Sequence, residues 1–570
     1  MRIMGIDIGT TTVSVVMTDT ETGKLLAKET VEHNSFLRSS KPEQKLQDPE
    51  RIYEIVRELL IKQQKENGLP DGIGFTGQMH GMLYVDASGK AVSPLYTWQD
   101  GSGEIPLENG KTCAELLQGV GAAASGYGVV THFYLQKKDQ IPKDAVRMTT
   151  ISDYIAMRLC ENTVPVIGLD MAASWGCFDL RKQEFLYEAL EQAGVDTSYL
   201  PEVRKGHFLV GETRAGVPVM GSIGDNQARL FGSVRNLKDT VLLNVGTGSQ
   251  VSLVTERFIE CSGSVELRPC TENSYILVGA SLCGGRAYAM LEQFYREAAE
   301  TEERLYSRMQ EQAEKFVEKY GKEAAWKVDT AFSGTRSDPS HRGMIAGIGV
   351  ENFHPGALTV GVICGILNEL HEQYEQMCQL TGKKATRLTG SGNGIRRNSL
   401  MRRLAEEMFE MPMEIPEHEE EAAYGAALTA GKLAAKKLDL LLGAVTGGIS
   451  YILNTVRSFC LGSKNDFLKG RWMCCVLCIL QVTTLIFTWS GWWALLPVIA
   501  NIAATIGGYT CNARKIRIVG MLINSPLWII YDIAVGSWAG ILDEIVSEAS
   551  MMISIFRYGW KNMDSLEIEA

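Results

Sequence analysis

The sequence predicts an α/β protein with two similar lobes and a cleft between them, followed by an α-helical membrane tail. A strand–turn–strand pattern with a Gly/Thr tip occurs at residues 2–19 and again at 238–256, which indicates internal duplication. Helical patterns follow the strands in both halves, as expected of an α/β layer. From Leu441 onward the chain holds only nine of its 56 Lys and Arg and eight of its 67 Asp and Glu, so the tail is much more apolar.

Length and charge restrict the possible functions. At roughly 150 residues per domain, a chain of 570 residues is expected to form three or four units. The whole chain carries a net charge of −11 and the tail carries nine cations against eight anions, which leaves −12 on the first 440 residues. Binding to nucleic acid needs clustered cations, so we expect no nucleic-acid partner. The N-terminus passes directly into a strand pattern without a secretory signal, so we expect a cytoplasmic front part.

In the first half, the strand patterns RIMGIDI and VSVVMTD are joined by the turn GTTT, and LLAKETV follows as a third strand. Residues 49–66 have helical spacing of apolar side chains, and DGIGFTG forms the next strand. In the second half, helices are predicted over 285–320 and 355–380, with a Gly-rich turn, TGSGNG, at 389–394. An Ala-rich helix over 420–437 is expected to end the soluble part.

The two hairpin tips are candidate phosphate cradles. Asp7 precedes the first tip within an apolar strand, so a buried carboxylate there needs a partner or a metal ion. The backbone N–H groups and hydroxyls of the tip can hold a phosphate, although a plain hairpin turn explains the same residues. The second tip, NVGTGS at 244–249, repeats these donors and favours a nucleotide with Mg²⁺ held between two lobes.

Two polar segments are candidate sites for an acceptor molecule. In GSIGDNQA, Asp225 can accept a proton from a hydroxyl group while Asn226 hydrogen-bonds a polyol, but the residues alone favour a helix N-cap at Asp225. The two roles are compatible. In FTGQMHGM, Gln78 and His80 follow a strand directly, where α/β proteins commonly bind ligands, and a polar contact is favoured over catalysis by the histidine.

Six motifs in order over residues 1–437 resemble the FGGY carbohydrate kinases. They are DIGTTT, TGQMHG, GDN, NVGTGS, GTR-x-DP at 334–339 and GSGNGIRRN at 390–398. GDNQ, SLCGGRAYA and GSGN-x-x-RRN are most similar to the sedoheptulokinases, and the xylulokinases come second. The resemblance implies two actin-like (ribonuclease-H-like) domains, an N-terminal sugar-binding domain over 1–232 and a C-terminal ATP-binding domain over 233–440, with an interdomain cleft.

The resemblance also implies roles for individual residues. Asp225 would be the catalytic base, and Asp7 would position Mg²⁺. The sugar would contact Gln78, Met79, His80, Asp225 and Asn226. ATP would contact Thr10, Thr11, Gly246, Thr247, Gly390, Ser391, Gly392, Asn393 and Asn398. The expected reaction is ATP-dependent phosphorylation of a ketose hydroxyl, from sedoheptulose to sedoheptulose 7-phosphate, with a pentulose such as xylulose as the alternative acceptor.

The tail, residues 441–570, is predicted to cross the membrane near 472–489, 492–510, 516–535 and 536–555, because about 20 apolar residues span a bilayer. Asp532 in the third span is expected to face a protein interior or a cavity. With four spans, the Lys and Arg clusters at 464–471, 514–517 and 557–561 all fall on one side, which the positive-inside rule makes cytoplasmic. The apolar segment 441–461 is therefore expected not to cross completely.

The tail resembles the YgjV-like bacterial inner-membrane proteins in the segments GGISYILNTVRSF, LLPVIANIAATIG and SPLWIIYDIAVGSWAGILDE. The resemblance covers residues 443–560 and is partial, because the first two helices of that family would precede residue 441, where the kinase stands. The prediction is a cytoplasmic kinase anchored in the bacterial inner membrane through 472–555, in contact with lipid. Two alternatives remain, a sugar-uptake module whose kinase traps the entering sugar and an accidental fusion without a role for the tail.

Overall fold

The computed structural model describes residues 1–261, 263–271, 274–334, 341–489, 492–535 and 537–559. The chain divides into two compact units, Met1–Leu433 and Ala434–Ala570, and each unit is described by itself. The first unit contains both predicted lobes. The motif GTR-x-DP lies outside the described residues except for Gly334.

The first lobe is built on a seven-stranded sheet of order β13-β14-β5-β1-β2-β3, with β15 paired to β5. The predicted meander is confirmed, because β1, β2 and β3 pair antiparallel and β5 then joins β1 in parallel. Small two-stranded sheets contain the remaining strands. The strands are β1 Arg2–Ile8, β2 Thr12–Asp19, β3 Lys24–Glu32, β4 Leu46–Gln47, β5 Gly72–Gly77, β6 Leu83–Val85, β7 Leu95–Tyr96, β8 Arg147–Thr149, β9 Val166–Gly168, β10 Phe178–Asp179, β11 Glu184–Phe185, β12 Glu202–Arg204, β13 Leu209–Glu212, β14 Pro218–Met220 and β15 Ile223–Gly224.

The predicted helix over 49–66 is observed as α1. Asp48 caps its N-terminus by accepting hydrogen bonds from two backbone N–H groups, and Pro49 occupies the first turn, where no N–H donor is needed. Ile52, Val56 and Leu59 bury one face of α1 in the core of the first lobe. The helices of this lobe are α1 Pro49–Asn67, α2 Cys113–Leu117, α3 Gly128–Lys137, α4 Ile151–Leu159, α5 Leu169–Ala173, α6 Tyr187–Gln192 and α7 Asp225–Ser233.

The second lobe repeats the first in the arrangement of its central strands. Its six-stranded sheet has the order β18-β19-β17-β16-β22-β23, with β16 antiparallel to β17 and parallel to β22. The strand order β19-β17-β16-β22-β23 thus matches β3-β2-β1-β5-β14 of the first lobe, which is the duplication that the two hairpin patterns predicted. The strands are β16 Thr240–Val245, β17 Ser249–Thr255, β18 Val265–Thr271, β19 Ser274–Ser281, β20 Lys327–Val328, β21 Ile345–Ala346, β22 Arg387–Ser391 and β23 Met413–Glu414.

The helices of the second lobe correct two predictions. The helix expected over 285–320 is two helices, because Ala299 ends α8 and Glu300 adopts a left-handed conformation with φ of 48°. The helix expected over 420–437 does not end there but continues as α13 to Gly462. The helices are α8 Gly284–Ala298, α9 Tyr306–Tyr320, α10 Pro355–Thr381, α11 Gly392–Arg397, α12 Ser399–Phe409 and α13 Glu421–Gly462.

The first turns of α13 pack against elements of the first lobe through glycines. A Cβ atom added to Gly5 of β1 would lie 1.9 Å from the carbonyl oxygen of Ala423, and one added to Gly425 would lie 1.8 Å from the carbonyl oxygen of Ala228 in α7. Gly74 of β5 and Gly232 of α7 make similar backbone contacts with this helix. Backbone therefore packs directly on backbone where α13 crosses the sheet and α7.

The tail is helical, but fewer of its helices qualify as spans than the sequence predicted. Within the described residues one helical run, Arg514–Ile533, is long and apolar enough to cross a membrane, while Arg471–Phe487 and Trp492–Gly508 are apolar but shorter. Helix α18 is long but contains three acidic residues. Asp532 is 4% exposed, as expected of an acidic side chain that faces a protein interior. The helices are α14 Arg471–Phe487, α15 Leu495–Gly508, α16 Ala513–Val519, the π-helix Gly520–Asn524, α17 Ser525–Val535 and α18 Trp538–Tyr558.

Candidate active site

Two glutamine side chains donate hydrogen bonds to the backbone of the first hairpin tip. The Gly9 N–H donates to the Thr12 carbonyl over 2.9 Å and closes the turn. Gln47 donates to the Thr10 carbonyl over 2.6 Å, and Gln78 donates both to the Gly9 carbonyl over 3.2 Å and to the Gln47 side chain over 2.9 Å. Because these amides satisfy carbonyl groups of the tip, the turn has one fixed conformation. Thr11 at its end is exposed.

Asp7 is a buried carboxylate with both positive and negative charges nearby. Burial raises the pKa of Asp7 to about 6, the Arg229 guanidinium acts in the opposite direction, and the negative charges of Asp225 and Glu420 add to the increase. The strand β1 and the helix α7 thus place Asp7 and Asp225 near enough for their charges to interact.

The residues around Asp7 fit the expected Mg²⁺ ion. In the described part of the chain no group of three or more His, Cys, Asp and Glu side chains forms a full protein cage for a metal. Mg²⁺ is usually held by only one or two carboxylates, with water and substrate phosphates as the other ligands. Asp7 and Asp225, whose charges interact, supply such a pair of carboxylates.

Asp225 is the first residue of α7, not its N-cap. The cap position is taken by Gly224, and no side chain caps this helix, so the capping interpretation of Asp225 is wrong. The Gly224 N–H donates to the Asp170 carboxylate over 2.7 Å, which fixes the backbone immediately before Asp225. The Asp225 carboxylate is thus free of a capping bond and stands at the carboxyl end of β15, which pairs in parallel with β5.

The residues that follow β5 lie beside Asn226. The Met79 sulfur is 3.7 Å from the Asn226 side-chain nitrogen. His80 shares a hydrogen bond of 2.6 Å with the Ser174 carbonyl through Nδ1, and its ring stacks on Tyr127 with 4.7 Å between centroids. The structure therefore brings Met79 and Asn226 together and gives His80 a fixed orientation. Gln78, by contrast, points to the first tip.

The proposed nucleotide residues of the second lobe also converge. The N–H groups of Gly285 and Arg286, at the start of α8, donate to the carbonyl groups of Gly246 and Thr247 at the second tip, each over 2.9 Å. Gly392 begins α11 with φ of 81°, and an added Cβ would lie 2.5 Å from the Val245 carbonyl oxygen. The turn formed by Gly390, Ser391, Gly392 and Asn393 is therefore packed against the second tip. Asn398 caps α12 by accepting the Met401 N–H over 3.0 Å.

Sequence reasoning missed several polar residues at this site. Asp170 and Gln47 act on the backbone beside predicted residues, and Tyr127 stacks on His80. Arg268 comes from the second lobe and is 7% exposed. The available signal was its position, because a charged residue in the strand VELRPCT needs a partner. The contact of Arg268 with Met79, 189 residues away in the chain, has no local signature.

Two actin-like lobes in one compact unit, with a glycine-rich tip in each, are typical of the two-domain sugar kinases. The chain belongs to the FGGY family of carbohydrate kinases. The N-terminal domain of that family matches residues 2–232 and the C-terminal domain matches 241–434. Residues 437–562 match a further family, Imp-YgjV, described as a bacterial inner membrane protein. The resemblances read from the motifs are confirmed.

Relatives of known activity agree with this assignment. The chain is 28% identical to the sedoheptulokinase of Mus musculus over 75% of this chain and 96% of the relative, and 27% identical to the glycerol kinase of Aquifex aeolicus over 75% and 89%. Among solved structures, a gluconate kinase from Lactobacillus acidophilus has a TM-score of 0.66 at 20% identity, covering 76% of this chain and 89% of that one. A xylulose kinase from the same organism has a TM-score of 0.65 at 20% identity, with the same coverage. At this identity the structural likeness shows the fold alone.

Proposed function

We propose that this carbohydrate kinase transfers the γ-phosphoryl group of ATP to a ketose, and that the ketose is sedoheptulose, giving sedoheptulose 7-phosphate. The observation that carries the proposal is the Asp225 carboxylate, which caps no helix, precedes Asn226 in the chain and lies near enough to Asp7 for the two charges to interact. The similarity to sedoheptulokinases of Mus musculus and Homo sapiens, each at 28% identity, supports the choice of acceptor.

In the proposed reaction, Asp225 accepts the proton of the acceptor hydroxyl as the hydroxyl oxygen attacks the γ-phosphorus. The bond between the γ-phosphorus and the β–γ bridging oxygen breaks, and ADP leaves. A positioned general base contributes roughly 10²–10⁴-fold to such a step. Asp170 keeps Asp225 in place through the Gly224 N–H. Asn226, Met79 and His80 orient the sugar, and the donors of the two tips, at Thr10, Thr11, Gly246 and Thr247, face the phosphates. Mg²⁺, when bound near Asp7, supplies charge neutralisation for the transferred group.

The turn of the second lobe is proposed to hold the rest of the nucleotide. We assign nucleotide binding to four residues of this turn, Gly390, Ser391, Gly392 and Asn393. The absence of a side chain at Gly392 allows the turn to approach the second tip. Asn398 acts there through α12, because its side chain is used as a cap. ATP is proposed as the phosphoryl donor because carbohydrate kinases use it.

The proposal is tested by an acceptor panel of C5 to C7 ketoses with the full chain and with Asp225→Asn. Asparagine keeps the shape of the side chain and removes its basicity, so kcat should fall by about 10²–10⁴-fold while KM for ATP changes little. Asp239→Asn is the matched control, since Asp239 precedes β16, at the end of that strand opposite the second tip, and is not among the proposed site residues. Near-normal turnover of the Asp225 variant would contradict its role as base.

A second acceptor, xylulose, is favoured by one specific observation. A xylulose kinase from Staphylococcus epidermidis is 23% identical over 75% of this chain and 87% of its own length. One carbon more or less changes few contacts in a polar pocket, so the same panel decides between the two acceptors by the ratio of kcat/KM values.

For the tail we propose that it anchors the kinase in the bacterial inner membrane with the kinase on the cytoplasmic side, where ATP is available. The support is the match of residues 437–562 to an inner membrane protein family and the apolar helical run Arg514–Ile533. The segment 441–461, which is helical, is proposed not to cross completely, because a further crossing would place the kinase outside.

A further inference from the structure

Arg268 of β18 extends from the second lobe to residues of the first lobe beside Asp225. Its side chain is 9% exposed, and its Nε and Nη2 atoms both pair with one oxygen of Glu266, over 3.2 and 2.7 Å. The third nitrogen, Nη1, points the other way and has the Met79 sulfur as its neighbour at 3.9 Å. The negative charge of Asp225 lies near enough to act on the guanidinium.

The hydrogen-bonding capacity of Nη1 is not fully used. A buried guanidinium is stable only when its N–H groups have good acceptors, and a thioether sulfur is a weak acceptor. The two N–H groups on Nη1 therefore have one weak partner, although the other side of the same guanidinium is well paired. Glu266 stabilises the charge, and it leaves one defined donor position directed at the first lobe.

A residue of the first lobe with an unused acceptor contacts the same sulfur atom as Arg268. Asn226 is 6% exposed, its side-chain nitrogen faces the same Met79 sulfur at 3.7 Å, and its side-chain oxygen is buried without a hydrogen-bond partner. The sulfur thus separates a charged donor of the second lobe from an acceptor of the first. A sugar hydroxyl has both functions, since its oxygen accepts and its proton is donated.

We propose that Arg268 is a specificity-determining residue, whose Nη1 donates to one hydroxyl oxygen of the acceptor sugar while that hydroxyl donates to the Asn226 oxygen. The inference rests on the proposed sugar site and adds a residue of the second lobe to it. The acceptor site is then complete only when both lobes contribute a residue to it. Arg268 accepts no proton from the substrate in this scheme.

The first test measures KM and kcat for the acceptor and for ATP in Arg268→Met and Arg268→Lys. A hydrogen bond from a charged donor to a substrate contributes about ten- to hundred-fold in affinity, so KM for the acceptor should rise by that factor in the Met variant, with KM for ATP little changed. Lysine should restore only part of the effect, because one ammonium group does not pair with Glu266 and reach the sugar together. Arg181→Met is the matched control, since Arg181 and Glu260 form another ion pair between the lobes, at 2.8 Å but exposed to solvent.

The second test uses monodeoxy analogues of whichever ketose the acceptor panel identifies. The unmodified chain should discriminate against removal of one particular hydroxyl, and Arg268→Met should lose that discrimination at the same position only, as in a double-mutant cycle. Additive effects at every position, or equal increases of KM for ATP and acceptor, would overturn the proposal. A chain that phosphorylates no ketose in the panel would instead overturn the proposed function.

Discussion

Glycine 425 offers the most direct test of how the first unit is assembled. In Gly425→Ala the new Cβ would lie 1.8 Å from the Ala228 carbonyl oxygen, whereas ordinary contact begins near 3.4 Å. Because both partners are helix backbone, relief requires α13 and α7 to separate by more than an ångström. Overpacking of this kind costs about 1–3 kcal/mol or more.

The effect should reach catalysis as well as stability. Helix α7 begins with Asp225, so a displaced α7 moves the proposed base relative to Met79 and Asp7. We expect Gly425→Ala to lower the temperature of half-inactivation by several degrees and to reduce kcat at temperatures where the chain remains folded. The assay is residual kinase activity after a fixed incubation, because a chain with two units need not unfold in one step.

Gly431→Ala is the matched control in the same helix. An added Cβ at Gly431 would first meet the Cγ2 atom of Thr20 at 2.8 Å, the end of a side chain that can rotate. Alanine also gains up to about 1 kcal/mol of helix propensity over glycine, so the control should be close to neutral. If Gly425→Ala were as stable and active as Gly431→Ala, the backbone contact between α13 and α7 would not constrain this protein.

Three further predictions concern pH and the tail. Burial raises the pKa of Asp153 from 3.8 to about 7, so the stability that its protonated form contributes is complete below pH 4 and is lost as the pH rises towards 7. The decrease in half-inactivation temperature between pH 5 and 7 should therefore be smaller in Asp153→Asn than in the unmodified chain. Equal slopes for the two chains would argue against a buried neutral carboxyl group. Deletion of residues 441–570 should move the kinase from the membrane fraction to the soluble fraction without changing kcat/KM. In membrane vesicles of the full chain, protease should reach the kinase only when the cytoplasmic face is outward, and protection in that orientation would contradict the proposed anchoring. Loss of sugar uptake on deletion of residues 441–570 would favour the uptake module over a tail without a role.

Local patterns predicted the elements whose formation depends on neighbouring residues. The hairpins around Gly9 and residues 246–248 combine glycine turns with alternating apolar strands, and α1 has a cap, a proline and helical spacing within a short segment. The break between α8 and α9 was missed because Glu300, a residue without a turn signature, adopts the left-handed conformation. The continuation of α13 was missed because a change in composition near residue 440 was read as a helix end.

The residues of the candidate site also divide into those that a local sequence pattern predicts and those that only the tertiary structure shows. Asp7 could be predicted as a residue in need of a partner because a carboxylate lies within an apolar strand. The role of Asp225 could not be separated from capping by sequence, since both roles place an acidic residue at the start of a helix, and only the backbone assigns the cap position to Gly224. Arg268 depends on a contact between lobes, which the pairing of β18 with β19 creates and no local pattern encodes.

The glycine contacts of α13 show that the first lobe in space includes residues from beyond the second lobe in the sequence. The start of α13 packs on β1, β5 and α7. A fragment that ends at residue 232 would lack the helix that covers Gly5 and Gly74, and it would expose backbone that no side chain protects. In a chimaera that takes its first lobe from a relative, the start of α13 would therefore not match that lobe unless residues 421–433 were exchanged together with it. The functional module to transplant is the first lobe together with the start of α13, although almost 190 residues separate them along the chain.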